Sequence, residues 1–301
     1  MRVLSYIYSK ISLIICWCLL VIFSPQLQAL EGSESPVHTF IRPNGLLPDD
    51  RADMICDYRG DIFLLQSNLN KIVKMSMLTE FSVEIGGFGF GVGQFNNPTS
   101  IYTNDGGLNI YVLDSENRRI VRLNSELKWL DQILLESAYD DQMVGDLTGL
   151  AINSMDEFYV SDPRNFRILK IDGDGKLIAT ISGKKKLIKP GDLVCDDIDY
   201  LYICDLYENA IMVIDDFGNL SGSIRSEILQ MPLRIAMHED KLLVLDGQLN
   251  SILSYDIGNE YIETLLHKFP HHKIPALAAF HQSIVIYNDI NIITVFIKPD
   301  N

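Results

Sequence analysis

Aspartate is the residue type whose spacing in this sequence first suggests chemistry. Asp114, Asp162, Asp205 and Asp246 close similar segments and stand 41 to 48 residues apart. Carboxylates that converge can hold a divalent cation or act as a general acid and base. An aspartate that recurs once per segment is better explained by a turn, in which its side chain accepts backbone N–H groups. We therefore predict a structural role for this set.

Asparagine and arginine recur with these aspartates and are predicted to serve the same turns. Asn117 and Asn165 lie three residues after an aspartate, and Arg119 and Arg167 lie five residues after one. Recurrence with the repeat favours structure over catalysis. We expect the two arginines to reach carboxylates or carbonyls of adjacent repeats.

The repeated segment is the strongest signal in the chain. Its clearest copy, residues 93–124, reads GQFNNPTSIYTNDGGLNIYVLDSENRRIVRLN. A short strand follows the proline, and after a DGG turn come two β-rich runs that alternate with a period of two. Related copies occupy 52–76, 147–172, 190–215, 232–256 and 275–298. Units of this size are typical of propeller blades, so six copies predict six blades.

A propeller blade needs a fourth strand, and the sequence offers one after most copies. These strands are expected at 80–85, 129–135, 177–182, 220–225 and 261–267. The last copy has no room for one before Asn301, so we predict that residues 37–42 pair outside 292–297 and close the ring. The fold class is therefore all-β, a six-bladed β-propeller of four-stranded antiparallel blades in a single domain over 30–301.

One stretch resembles a known repeat family. The pattern GxGxGQF…P…I…NIYVLDSENRRIVRL, from Gly89 to Leu123, is similar to the NHL repeat, and the similarity weakens in the outer copies. The resemblance implies a six-bladed propeller, in agreement with the count of repeats. It also implies an interaction platform, because NHL domains often serve as one.

The entrance of the innermost strands into the central channel is where a propeller gathers functional residues. The second residue after each proline equivalent is expected to ring one mouth of the channel: Asp53, Ser100, Gly149, Asp192, Arg234 and Leu277. Two carboxylates and one guanidinium do not form a metal cage. We name Asp53, Ser100, Asp192 and Arg234 as ligand-binding candidates and predict no catalytic residues, metal ligands or cofactor.

Two classes of propeller enzyme show which residues a catalytic metal site would need. Peptidyl-hydroxyglycine lyases of the NHL type hold zinc through histidines just after the proline of several inner strands. The corresponding residues here are Thr99, Thr148, Gly191, Leu233 and Ala276. Calcium-dependent lactonase propellers need more converging oxygens than Asp53 and Asp192 supply. A non-enzymatic scaffold that binds a protein, peptide or glycan is the leading hypothesis, and a metal-dependent lyase or lactonase with an atypical ligand set is the alternative.

The N-terminus is typical of an export signal. Arg2 and Lys10 precede an apolar run over 11–23, and Leu27-Gln28-Ala29 offers a cleavage site, which predicts a signal peptide over 1–29. The run is shorter than the roughly 20 residues that a membrane-spanning helix needs. We expect a periplasmic or extracellular protein without stable membrane insertion after cleavage, and an uncleaved anchor is the alternative.

Charge and cysteine content limit the remaining possibilities. A formal net charge of −15 repels phosphate backbones, so we expect no nucleic-acid partner. Cys56, Cys195 and Cys204 remain after the signal, and we interpret them as small buried apolar residues. Whether Cys195 and Cys204 form a disulfide is not decided by the sequence. We expect the protein to be a monomer.

Overall fold

The computed structural model describes residues 37–41, 49, 51–76, 82–135, 147–182, 187, 189–266, 276–281, 283–288 and 291–296. The chain divides into two units between Pro36 and Val37, and all described residues belong to the second. The predicted signal peptide, 1–29, lies outside the described residues. No helix in the described ranges is long and apolar enough to cross a membrane.

The described residues form six four-stranded antiparallel sheets. The first three sheets in chain order contain β2 (Asp53–Cys56), β3 (Ile62–Gln66), β4 (Lys71–Met75) and β5 (Ser82–Gly86); β6 (Pro98–Tyr102), β7 (Asn109–Asp114), β8 (Arg119–Asn124) and β9 (Trp129–Leu134); and β10 (Leu150–Ile152), β11 (Phe158–Asp162), β12 (Arg167–Ile171) and β13 (Leu177–Ser182). The other three contain β14 (Pro190–Cys195), β15 (Leu201–Asp205), β16 (Ala210–Ile214) and β17 (Leu220–Ile224); β18 (Pro232–His238), β19 (Lys241–Asp246), β20 (Ser251–Asp256) and β21 (Tyr261–Leu266); and β22 (Ala276–Phe280), β23 (Ser283–Tyr287), β24 (Asn291–Phe296) and β1 (Val37–Ile41). Each sheet corresponds to one repeat of the sequence.

The sheet that contains both ends of the described chain has the order β1-β24-β23-β22. Strand β1 pairs antiparallel with β24, with Val37 opposite Val295 and Ile41 opposite Asn291. The innermost strands β2, β6, β10, β14, β18 and β22 contact one another in that cyclic order, and β22 contacts β2. The fold is an all-β propeller with four-stranded antiparallel blades, and we call the sheet that begins at β2 blade 1 and the one that begins at β22 blade 6.

Apolar side chains pack between neighbouring blades, as in other layered β folds. Ile101 packs with Phe63 and Leu65 of the preceding blade, and Leu150 packs with Leu113 in the same manner. Leu193 and Ile235 continue this pattern in blades 4 and 5. One apolar position of the inner strand therefore seals the contact between neighbouring blades.

The recurring aspartates are structural. Asp246 accepts backbone N–H bonds from both sides of its turn, including those of Met231 (2.8 Å) and Leu249 (2.8 Å). Asp114 accepts the Asn96 N–H at 2.7 Å and the Asn117 side-chain amide at 2.8 Å. These carboxylates fasten the loop that enters a blade to the turn that follows its second strand.

The arginines bond within their own blades, so the prediction that they reach adjacent repeats is wrong. Arg119 donates from Nε to Asp114 at 2.7 Å, and Arg167 donates to Asp162 at 2.8 Å. The reason is the register, which places each arginine directly opposite its aspartate across one hairpin. Arg119 also donates to the carbonyl of Gln94 (2.8 Å) in the segment that enters its blade.

Cysteines 56, 195 and 204 are free thiols. Cys195 packs with the cluster between blades 3 and 4, whereas Cys204 packs with the cluster between blades 4 and 5. The two side chains therefore lie on opposite faces of the same sheet and do not form a disulfide with each other.

The alternation of the strands gives the propeller two different faces. The turns after the first and third strands of each blade lie on one face, which we call the hairpin face. The turns after the second strands and the connections between blades lie on the other, which we call the linker face.

Candidate functional site

A cavity of about 620 Å³ lies along the innermost strands at the centre of the ring. All six blades contribute to its wall. It extends from the level of Asp53, Ser100 and Asp192 near the linker face to Asn104, Ser154 and Asp197 in the turns of the hairpin face. Its size is within the range of about 300–1,000 Å³ that is usual for ligand sites.

β-Bulges accompany three of the four polar residues at the linker-face end of the cavity, which we call the cavity floor. The register shifts by one residue between Pro98 and Ser100, between Pro190 and Leu193, and between Pro232 and Arg234. A bulge inserts an extra residue and re-aims the side chain that follows it. In these three blades the proline therefore marks a break in strand pairing at the level of the floor residue.

Asp53 links blade 1 to blade 2. Its Oδ2 atom accepts the Ile101 N–H at 2.9 Å and the Ser100 hydroxyl at 3.1 Å. Asp192 forms the equivalent link between blades 4 and 5, because its Oδ2 accepts the Ile235 N–H at 2.9 Å. Both carboxylates are buried, with 7% and 8% of their residue surfaces exposed.

Arg234 joins the two halves of the floor. Its Nη2 donates to the carbonyl of Ala52 in blade 1 at 3.2 Å, and its Nε lies 3.9 Å from Asp53 Oδ1. Nε is buried and has no hydrogen-bond partner among the described residues. The structure thus brings the four predicted ligand-binding residues together as one polar cluster.

The charged groups of the cluster shift one another's pKa values. Burial raises the pKa of the Asp192 carboxyl to about 7. The positive charge of Arg234 lowers this pKa, and the negative charge of Asp53 raises it further. The neighbouring carboxylates raise the pKa of Arg234 despite its burial. The floor therefore holds one permanent cation and a carboxyl group that titrates near neutrality.

Two other predicted floor positions behave differently. A Cβ atom at Gly149 would lie 2.5 Å from the carbonyl oxygen of Gly191, so glycine here permits the close approach of blades 3 and 4. Leu277 does not occupy the predicted level, because the described pairing of β22 has no register shift and Leu277 pairs with Ile286, as Ile235 pairs with Val244. Ala276 stands at the floor position instead, and Leu277 packs between blades 5 and 6.

Tyr102 is a cavity residue that the sequence analysis missed. Its side chain starts in blade 2, packs against apolar clusters of blades 3, 4 and 5, and places its hydroxyl within hydrogen-bonding reach of the backbone of Ile152 and Cys195. Burial raises its pKa. Tyr102 occupies the end of an inner strand, where no repeat position indicated a role.

The hairpin face is strongly acidic. In its described turns the acidic residues are Asp57, Asp61, Asp105, Glu126, Asp156, Glu157, Asp172, Asp174, Asp196, Asp197, Asp199, Asp215, Asp216, Glu239, Asp240 and Glu260. The basic residues of the same turns are Arg59, Lys128 and Lys176. The described turns and connections of the linker face carry Asp49, Glu116, Glu208 and Glu227 against Arg51, Arg118, Arg164, Lys189 and Arg225. Among the described turns and connections, the excess of negative charge is therefore on the hairpin face.

The donor set of the cavity floor does not fit a catalytic metal. Asp53 accepts backbone N–H groups with both of its carboxylate oxygens, and Asp192 accepts one with Oδ2. Arg234 places a positive charge beside both carboxyl groups. Among the described residues no group of three or more His, Cys, Asp and Glu side chains is arranged to hold a metal ion. The inner hairpins have two described histidines, His238 and His281. The Nε2 atom of His238 is hydrogen-bonded to the carbonyl oxygen of His281.

Comparison with known proteins shows a fold shared with several propellers. No family model and no curated protein matches the chain. Virginiamycin B lyase from Staphylococcus aureus, in a catalytically inactive form with quinupristin, has a TM-score of 0.66 and 13% identity, covering 88% of this chain and 100% of its own. A Bacteroides thetaiotaomicron protein of unknown function has a TM-score of 0.66 and 14% identity, covering 87% and 76%. A chain of a nidogen/laminin complex has a TM-score of 0.59 and 16% identity, covering 81% and 98%.

At these identities the similarity shows the propeller fold alone. The matched proteins include an enzyme and a chain from a protein–protein complex, so the shared fold does not select between chemistry and binding.

Proposed function

We propose that this chain is a binding protein that holds a protein, peptide or glycan ligand at its central cavity, without catalysing a reaction. The observation that carries the proposal is the cavity of about 620 Å³, which combines apolar walls with a polar floor and reaches the turns of the hairpin face. Pockets with this combination are the usual binding sites of globular proteins. Asp53, Ser100, Asp192 and Arg234 form the polar end of the proposed site.

The alternative is a metal-dependent lyase or lactonase of the propeller type. This alternative is kept because one protein of similar fold, virginiamycin B lyase, is an enzyme. The floor chemistry supports binding instead, because Arg234 disfavours a second cation and the carboxylates already serve as links between blades.

We further propose that the chain is an exported, monomeric, NHL-type propeller of six blades closed by its N-terminal strand. The pattern from Gly89 to Leu123, the correspondence of six sheets with six repeats, and the pairing of β1 with β24 support this assignment. The apolar run at 11–23 supports export.

Filling the cavity tests the binding site. Ala236 lines the cavity on β18, so Ala236→Trp places an indole inside it. The matched control is Thr180→Trp, which adds the same side chain on the exposed surface of β13. We expect members of a panel of synthetic peptides and oligosaccharides to raise the melting temperature of the wild type and the Thr180 variant, and not of a folded Ala236 variant. Equal binding by all three would contradict the proposed site.

A further inference from the structure

We infer that the hairpin face docks a polypeptide segment in which lysine or arginine side chains alternate with apolar ones; this inference rests on the proposed binding function and names its ligand class. The charge distribution between the two faces is the first argument. The described turns of the hairpin face carry many carboxylates and few cations, whereas the described turns and connections of the linker face are nearly balanced in charge. A surface of one sign attracts a partner of the other and raises the rate of encounter.

Exposed apolar side chains on the same face are the second argument. Tyr58, Met155 and Ile198 lie in the first hairpin turns of blades 1, 3 and 4 and expose 51%, 63% and 67% of their surfaces. Leu108 lies in the equivalent turn of blade 2 and is also exposed. One such residue per turn in four consecutive blades forms an apolar arc beside the cavity mouth. Apolar residues with a polar surround are typical of protein-binding surfaces.

Hydrogen bonds between the turns hold this arc in place. The Tyr58 N–H donates to the carbonyl of Gly106 at 2.8 Å, joining blades 1 and 2. The Ser154 hydroxyl donates to Asp199 Oδ2 at 2.6 Å, joining blades 3 and 4. Because the turns are fastened to one another, a partner meets a surface that is already ordered, which reduces the entropy cost of binding.

The geometry favours a cationic polypeptide over a metal ion. Asp57 and Asp196 use Oδ1 to accept backbone N–H groups of their own turns, with distances of 2.8 Å to the Asp61 and Tyr200 nitrogens. The carboxylates are also spread around the ring, with at least one in the first hairpin turn of each of blades 1 to 5. Negative charge spread over several turns is complementary to a polypeptide whose lysine or arginine side chains are spaced along it. The apolar arc is complementary to the apolar side chains between those cations.

The experiment uses the full chain and three short synthetic peptides labelled with a fluorophore. The first alternates lysine and leucine, the second replaces lysine with glutamate, and the third replaces leucine with serine. We expect the lysine–leucine peptide to bind with a dissociation constant that rises steeply with salt. We expect the glutamate peptide not to bind and the lysine–serine peptide to bind more weakly.

Charge-reversal variants locate the contact. Asp197→Lys with Glu239→Lys changes two exposed residues of adjacent turns on the hairpin face. The control, Glu116→Lys with Glu227→Lys, makes the same change in net charge on the linker face. We expect the hairpin-face variant to weaken binding about tenfold and the control to change it less than about twofold. Ile198→Ser should also weaken binding, with Val92→Ser, an exposed residue of the linker face, as its control.

Two results would overturn the inference. Equal losses in the two double variants would show that net charge alone attracts the peptide. Failure of the lysine–leucine peptide to bind, while a neutral peptide or oligosaccharide binds and is blocked by Ala236→Trp, would refute the cationic ligand and leave the cavity proposal standing. Failure of every probe at the wild-type protein would count against both.

Discussion

At the scale of single residues, the same aspartate chemistry serves two purposes. Asp114 and Asp246 are tied into turns and carry the repeat. Asp53 and Asp192 link neighbouring inner strands while they also face the cavity. The first role recurs in several blades, whereas the second depends on individual residues. A residue that departs from the repeat is therefore the better candidate for function.

Asp192 gives the molecule a predicted pH dependence. Its pKa in the folded state is raised by burial to about 7, above the usual value of 3.8. A raised carboxyl pKa means that the folded state favours the protonated form, so the contribution to stability is largest at low pH and is lost as the pH rises through the folded pKa. We expect the melting temperature of the wild type to fall from about pH 5 to about pH 8 more than that of Asp192→Asn.

The control for this measurement is Asp197→Asn, which neutralises an exposed carboxylate of the same blade. Its pH profile should parallel that of the wild type. Parallel profiles for Asp192→Asn and the wild type would contradict the coupling of Asp192 to its surroundings.

The sequence predicts the level of four floor residues, but not the positions of Leu277 and Tyr102. The proline spacing was enough to predict that Asp53, Ser100, Asp192 and Arg234 stand at one level. It misplaced Leu277, because the unshifted register of the described β22 pairing leaves no mark in the residues that precede it. Tyr102 was missed because its role depends on the distance across the channel, which no local pattern encodes.

At the scale of elements, the strands were largely predictable. The fourth strands expected at 129–135 and 177–182 are observed at Trp129–Leu134 and Leu177–Ser182. Alternation with a period of two and glycine-rich turns determine such strands locally. The sequence analysis noted the net charge of −15 but did not single out the acidic hairpin turns. Their collection on one face became apparent only when the antiparallel order was known.

The pairing of β1 with β24 leads to a prediction about closure. Removing residues 30–44 deletes β1 and exposes the edge of β24. We expect this truncation to lower the melting temperature by more than about 10 °C and to broaden the thermal transition, because the loss of a strand is larger than a typical point mutation. Calorimetry of the purified protein measures both effects.

The matched control removes residues 30–36 alone, which leaves β1 intact. It should melt close to the wild type. An unchanged transition in the longer truncation would show that β1 does not help to close the ring.

At the scale of the whole molecule, the fold is a ring whose two faces differ in charge. Residues near the linker face build the cavity floor, and the hairpin face presents carboxylates and an apolar arc around the other end. We propose that this asymmetry serves binding. A propeller of this kind can carry either a ligand site or a metal site, and the residues of the cavity floor favour a ligand.

The most direct test of binding against metal chemistry is the metal content of the purified full chain, together with the effect of EDTA and added calcium on its melting temperature. We expect zinc, calcium and magnesium well below one equivalent and a melting temperature that neither treatment shifts. A stoichiometric ion located in the central cavity, with a large shift on EDTA treatment, would contradict this expectation. An ion outside the cavity would be structural and would leave the proposed site unchanged.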